Sequence, residues 1–216
     1  MLLRPVALLA FLFSLSALRA SEATYVLHPA ELLKAARTDC IQVGAPGVSP
    51  DASAVRFDGS GDGLLVTPNP LKGLERFTIE LRMRPAVDGG AEQRFVHFQD
   101  EAAQRALLEL RMEPAKGDWS LDTHLFRDAA MKRTLLDRAL VHSAGAWHWV
   151  ALSYDGKTMR HYVDGRLEGE AAVDFPAMGE GRFSLGMRQD KRSWFKGEIS
   201  ELRVSAEVLP AERLQR

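Results

Sequence analysis

Residues 147–170 read WHWVALSYDGKTMRHYVDGRLEGE, and the local chemistry of this stretch sets the architecture. Two aromatic, alternating runs each close on Asp-Gly. Glycine takes a positive φ without a steric penalty, and Asp tolerates the strained position beside it. Tyr154-Asp155-Gly156-Lys157 and Val163-Asp164-Gly165-Arg166 therefore read as hairpin turns, and residues 147–171 as a three-stranded meander. Along the first strand Trp147, Trp149, Ala151 and Ser153 share one face, and His148, Val150, Leu152 and Tyr154 the other. Large apolar groups on both faces predict a strand deep inside a two-layer sandwich.

The same period of two recurs on either side. FTIELRMR (77–84) sets Phe77, Ile79, Leu81 and Met83 against Glu80, Arg82 and Arg84. RFVHFQ (94–99), ALLELRM (106–112), WSLDTHLF (119–126), RFSLGM (182–187) and GEISELRVS (197–205) add further strands between turn residues. Repeated alternation of this kind is the pattern of antiparallel sheet with one buried face. Strands do not alternate with long helices, which argues against a doubly wound α/β fold. The composition of residues 127–140 allows a helix, but the loop-like residues from Asp137 and through 142–145 favour a hairpin: RDAA is its loop, and MKRTLLD returns against WSLDTHLF. Upstream, TYVLHPAELLKAARTDCIQ (24–42) predicts a short strand and a short helix, with Pro29 in its first turn. VGAPGVSPDAS (43–53) reads as a connector, and LPAERLQR (209–216) as a closing short helix near Pro210.

The chain opens MLLRPVALLAFLFSLSALRASEA. A charged start, an apolar middle and small residues at Ala20, Ser21 and Ala23 form a secretory signal peptide pattern over residues 1–20, with cleavage after 20 or after 23. The apolar run is shorter than the ~20 residues of a spanning helix, so a secreted, periplasmic or cell-envelope protein is expected. Removing residues 1–20 takes away Arg4 and Arg19 and no acid, leaving 26 basic against 29 acidic residues, a net of −3. No basic block speaks for nucleic acid. Cys40 is the lone cysteine, so no internal disulfide forms and core burial must hold the fold. Residues 21–51 read as an N-terminal extension and linker, and 52–216 as one domain.

Taken in order, FDGSGDGLLV (57–66), FTIELRMRP (77–85), WHWVALSYDGKTMRHYVDG (147–165), SLG (184–186) and FKGEISELRVSAEVLPAE (195–212) resemble the LamG-like, concanavalin A-like lectin/glucanase domains. The resemblance spans about three quarters of the chain. It implies a jelly-roll sandwich of two antiparallel sheets, one concave, flanked here by the two short helices. The chain departs from the family pattern at Gly63 and Arg82, where an aromatic is usual, and at Ser200, where Asp is usual.

Three constellations carry candidate chemistry. The loop Asp58-Gly59-Ser60-Gly61-Asp62-Gly63 offers two carboxylates and backbone carbonyls, oxygen donors of the kind calcium requires. The resemblance implies a structural calcium between this loop, with Asp58 and Asp62, and the late strand; Ser200 removes a usual ligand there, which Glu198 or Glu201 would have to replace, and Glu201 is taken as the third ligand. An ordinary turn, with Asp bonded to its own backbone, is the competing reading. Second, alternation projects Glu80, Arg82, Glu109, Arg111, Asp122 and His124 away from the apolar faces of three strands. If those strands share the concave sheet, the six side chains make a polar floor for sugar hydroxyls, with Trp119 or Trp194 to stack on a ring. Cross-strand ion pairs on a solvated face are the alternative. Third, a glycosidase needs two spaced carboxylates. The E-x-D-x-x-E run of laminarinase-like relatives is missing. LLELR (107–111) and FVHFQ (95–99) match the motifs of alginate-lyase relatives only in part. Glu109, Arg111, His97 and His124 could form an acid–base group, but no catalytic residue is assigned.

The expected function is thus an exported, non-catalytic recognition domain that binds a polysaccharide or surface glycan. The alternatives are a structural or adhesive envelope protein that contacts other proteins, and a divergent polysaccharide lyase or hydrolase.

Overall fold

The computed structural model describes residues 24–113 and 116–216. The expected leader over 1–20 lies outside them. In chain order the strands are β1 (Tyr25–Leu27), β2 (Cys40–Val43), β3 (Gly47–Val48), β4 (Val55–Asp58), β5 (Gly63–Val66), β6 (Phe77–Pro85), β7 (Glu92–Asp100) and β8 (Arg105–Glu113). They continue as β9 (Asp118–Phe126), β10 (Lys132–Leu136), β11 (His142–Ser143), β12 (His148–Tyr154), β13 (Thr158–Val163), β14 (Arg166–Ala172), β15 (Gly181–Leu185) and β16 (Lys196–Ser205).

These strands form two antiparallel sheets. The first runs β14-β13-β12-β6-β16-β4-β3, with β1 also paired to β16. The second runs β10-β9-β8-β7-β15-β5-β2, with β11 also paired to β9. The expected meander is β12-β13-β14, and its turns have the backbone that Asp-Gly suits: Gly156 at φ +96°, Asp164 at +48° and Gly165 at +75°. β10 pairs with β9 as the hairpin reading of 127–140 requires.

The two sheets meet through their apolar faces. Ile79, Leu81, Val150, Leu152 and Leu202 of the first sheet, and Phe98, Leu108, Leu110 and Phe183 of the second, are fully buried in one cluster. Burial of this kind stabilises by about 25 cal/mol per Å² of apolar surface, and it must carry the fold without a disulfide. The large groups on both faces of β12 have a different cause from the one expected. Val150, Leu152 and Tyr154 enter the inter-sheet core. On the opposite face Ala151 joins Tyr162, Leu209 and Leu214 in a small second cluster, so the C-terminal tail covers this sheet from outside.

Two helices expected from the sequence are absent. Pro29–Leu33 and Ala211–Arg213 are only short 3₁₀ turns. A helix this short cannot recover its nucleation cost by itself. Here Ala30 and Leu32 gain their burial by docking on the sandwich, and the tail lies extended after Ala211–Arg213. The expected extension and linker also contributes structure: β1 pairs with β16, β2 with β5 and β3 with β4. Gly63 makes room for Met187, whose Sδ lies 2.5 Å from where a Cβ would stand, so no aromatic fits there.

Candidate functional site

The outer face of the second sheet carries a cleft of about 310 Å³. Its floor is β7, β8 and β9. On β8, Arg105, Leu107, Glu109 and Arg111 face outward while Ala106, Leu108 and Leu110 enter the core. On β9, Asp122, His124 and Phe126 face the cleft. The register pairs Glu109 with Asp122 and Leu107 with His124. On β7 a bulge interrupts the alternation between Arg94 and Val96. Phe95 and Val96 are both buried in the core, which frees Arg94 for the cleft. Arg188 arrives from the loop after β15, and Lys132 and Thr134 from β10.

One end of the cleft is a closed ion-pair network. Arg94 Nε donates to Glu109 Oε1 at 2.8 Å, and Arg111 Nε donates to Asp122 Oδ2 at 2.6 Å. Arg111 Nη2 reaches Glu109 Oε2 at 3.3 Å, and both arginines also pair with Glu92. Burial lifts the Glu109 carboxyl to about 7 against the opposing charge of Arg94, and Asp122 adds to the rise. Burial raises Asp122 as well. A carboxyl near 7 holds or releases a proton at physiological pH.

The other end is basic. Arg105 stacks its guanidinium 3.9 Å from the centre of the Phe126 ring. His124 Nδ1 lies 2.7 Å from Thr134 Oγ1. Burial, then the charge of Arg105, lowers His124 to about 4. His97 is buried on the same face, its Nδ1 accepting the Gln189 amide at 3.1 Å. Burial, then the charge of Arg188, lowers it to about 3, so at neutral pH the ring is uncharged and Nε2 carries the proton.

Of the six residues expected to share a floor, Glu109, Arg111, Asp122 and His124 do so. Glu80 and Arg82 do not, because β6 belongs to the first sheet. Glu80 Oε1 accepts the Gln215 amide at 2.8 Å beneath the C-terminal tail, and Arg82 lies 4.8 Å from the Trp147 ring centre. Trp119 cannot stack on a sugar: it is 1% exposed, packed between His142 and His148. Phe126 is the aromatic that the cleft displays. Alternation missed Arg94, because of the bulge, and Arg188, because it sits on a loop; the aromatic-basic pair Phe126 and Arg105 was readable from the β8–β9 register alone.

The expected calcium ligands do not converge. Asp58 Oδ1 accepts the amides of Ser60, Gly61 and Asp62 at 2.8, 2.9 and 3.1 Å, and Oδ2 accepts the Ser60 hydroxyl at 2.5 Å. Partial burial opposes ionisation, but these bonds hold the Asp58 carboxyl below its ordinary range. Asp62 Oδ1 is taken by the Ala45 amide at 2.8 Å. Asp58 pairs with Lys196 at the start of β16, and Glu201 lies five residues further along, roughly 16 Å at strand rise. Among the described residues no group of three His, Cys, Asp or Glu side chains could hold a metal ion. Asp58 thus bonds its own loop as the competing turn reading describes. Also among the described residues, no helix is long and apolar enough to cross a membrane.

The sequence profile described as the concanavalin A-like lectin/glucanases superfamily matches residues 58–215. No curated protein matches the chain in sequence. Among solved structures, the CBM40 of Ruminococcus gnavus IT-sialidase, bound to α2,3 sialyllactose, superposes with a TM-score of 0.56 at 20% identity over 75% of this chain and 94% of that one. Domain 4 of AbnA, a GH43 extracellular arabinanase from Geobacillus stearothermophilus in complex with arabinotriose, gives 0.55 at 18% identity over 79% and 78%. The ligand binding domain of Botulinum neurotoxin serotype D, in complex with N-acetylneuraminic acid, gives 0.59 at 12% identity over 81% of this chain and 44% of that chain, less than half its length. At these identities the likeness establishes a shared fold.

Proposed function

Because this chain belongs to the concanavalin A-like lectin/glucanase superfamily, we propose that it is an exported glycan-recognition domain whose binding surface is the cleft over β7, β8 and β9. The observation that carries this reading is the cleft itself: a sheet face that displays fixed guanidinium, imidazole, hydroxyl and carboxylate groups together with the half-buried Phe126. Directional donors and acceptors beside an apolar ring face are what a sugar requires. That these three structural neighbours were solved with sialyllactose, arabinotriose and N-acetylneuraminic acid supports the reading at the level of fold. The leader pattern in residues 1–20 supports export.

The test is a polysaccharide and glycan array probed with the purified protein. Binding should weaken at least tenfold in His124→Ala and in Lys132→Ala, both checked for an unchanged melt. A folded wild type that is silent across the array would overturn the reading.

One observation favours a second reading, catalysis on a polysaccharide in the same cleft. Glu109 titrates near neutrality beside Asp122 and close to His124, as a proton-transfer group would. New reducing ends, or the ultraviolet absorbance of an unsaturated product, lost in Glu109→Gln, would establish it.

A further inference from the structure

The cleft is electrically two-sided. At one end Arg94 and Arg111 are consumed by Glu92, Glu109 and Asp122, two cations against three acids. At the other end stand Arg105, Arg188 and Lys132. Of these three, Arg188 alone makes an ion pair among the described residues, with the exposed Asp190 at 3.5 Å, which is shared with Arg192 at 2.8 Å. Among the described residues neither Arg105 nor Lys132 has an ion-pair partner, and the buried Nε of Arg105 has no hydrogen-bond acceptor. The fully buried His97 lines the adjoining cleft of about 160 Å³ with Arg188, and its Nε2 is likewise without a partner.

Two physical points turn this end into a site. Stacking on Phe126 fixes the plane of the Arg105 guanidinium and leaves its in-plane donors for an acceptor. Holding cations together out of water is unfavourable. Burial, then the charge of Arg188, lowers the Arg105 pKa, and burial lowers that of Arg188 too. A bound anion would relieve both costs, and a guanidinium meets a planar carboxylate with two parallel hydrogen bonds.

Resting on the glycan reading above, we propose that the Arg105–Arg188 end of the cleft is a subsite for the carboxylate of an acidic sugar, a uronic or sialic acid residue. Arg105 and Arg188 hold the carboxylate, Lys132 supplies long-range attraction, and the sugar ring lies across Leu107 and Phe126 toward Glu109. The neutral His97 lies buried beside Arg188 in the adjoining cleft and adds no opposing charge. Recognition therefore discriminates between an acid and its ester, a distinction that the closed network at the other end cannot make.

The experiment is calorimetric titration of the full protein with four probes: an oligogalacturonate, its methyl ester, sialyllactose and lactose. A sulfated galactan oligomer is the fifth arm. The acidic member of each pair should bind at least tenfold more tightly than its neutral counterpart, and more weakly as salt rises. Arg105→Gln and, separately, Arg188→Gln should abolish that preference. Lys116→Gln, on the exposed turn before β9, should keep it. Arg188 sits on a loop, so its variant reports on the subsite even if Arg105→Gln unfolds. Equal binding of acids and esters would overturn the subsite and leave glycan recognition standing. Binding confined to the sulfated oligomer would overturn the carboxylate assignment. A folded protein that binds none of the five would overturn the glycan reading and the subsite with it.

Discussion

Arg111 Nε donates to Asp122 Oδ2 at 2.6 Å across the β8–β9 ladder, and the Asp122 side chain is 2% exposed. The aspartate therefore depends on this arginine for compensation of a buried charge. Arg111 also pairs with Glu109 and Glu92, so one side chain bridges three acids.

Arg111→Ala should cost about 3 kcal/mol or more in urea unfolding, because it leaves Asp122 and Glu109 buried without their shared cation. The double change Arg111→Met with Asp122→Leu should recover most of that loss. A single-variant loss under about 1 kcal/mol would mean that the network is solvated and mechanically unimportant.

Acid should destabilise the protein through its buried imidazoles. His161 is 1% exposed, with Nδ1 3.1 Å from Thr123 Oγ1, and burial lowers it to about 4 from 6.5. The unfolded chain takes up this proton below about 6.5, so the stabilisation is complete above that pH and is lost as pH falls toward 4. Full loss amounts to about 3 kcal/mol. His161→Gln should flatten the decline of the melting temperature between pH 6.5 and 4. An unchanged slope would remove His161 from the account.

Glu109 acts with the opposite sign. Its carboxyl is raised to about 7 from 4.5, so its contribution is present below about 4.5 and is lost as pH rises to 7. In Glu109→Gln, stability should fall less between pH 4.5 and 7 than in the wild type. A steeper fall would show that Arg94 and Arg111 outweigh burial.

Gly186 anchors the loop that delivers Arg188. It has φ +78°, and a Cβ there would fall 2.3 Å from the Phe57 ring. Gly186→Ala should cost about 4 kcal/mol or more, or abolish soluble expression. Gly73 has φ +76° and open space around it, so Gly73→Ala should cost only about 1 kcal/mol. Equal losses would show that backbone strain, and not the ring, decides Gly186.

Asp58 should stabilise through its turn and not through an ion. Asp58→Ala should lower the melting temperature by the loss of its bonds to residues 60–62, about 1 kcal/mol in all. Chelator or added calcium should leave the melt of both proteins unchanged. A calcium-dependent rise in the wild type alone would restore the ion.

Residue order alone determined the sandwich, since side chains of a strand alternate by geometry and Asp-Gly supplies the backbone that a hairpin needs. It also determined that Glu109 and Arg111 face away from Leu108 and Leu110. Which strands share a sheet is a different matter. β6, β8 and β9 carry the same kind of pattern, yet β6 pairs with β12 and β16 while β8 pairs with β7 and β9. Pairing partners far apart in sequence are chosen by how the whole core closes, so only the tertiary structure separated Glu80 and Arg82 from the cleft. The same holds for Arg94 and Arg188: a bulge that moves one residue to the other face, and a loop folded back over a sheet, leave no periodic trace in the chain.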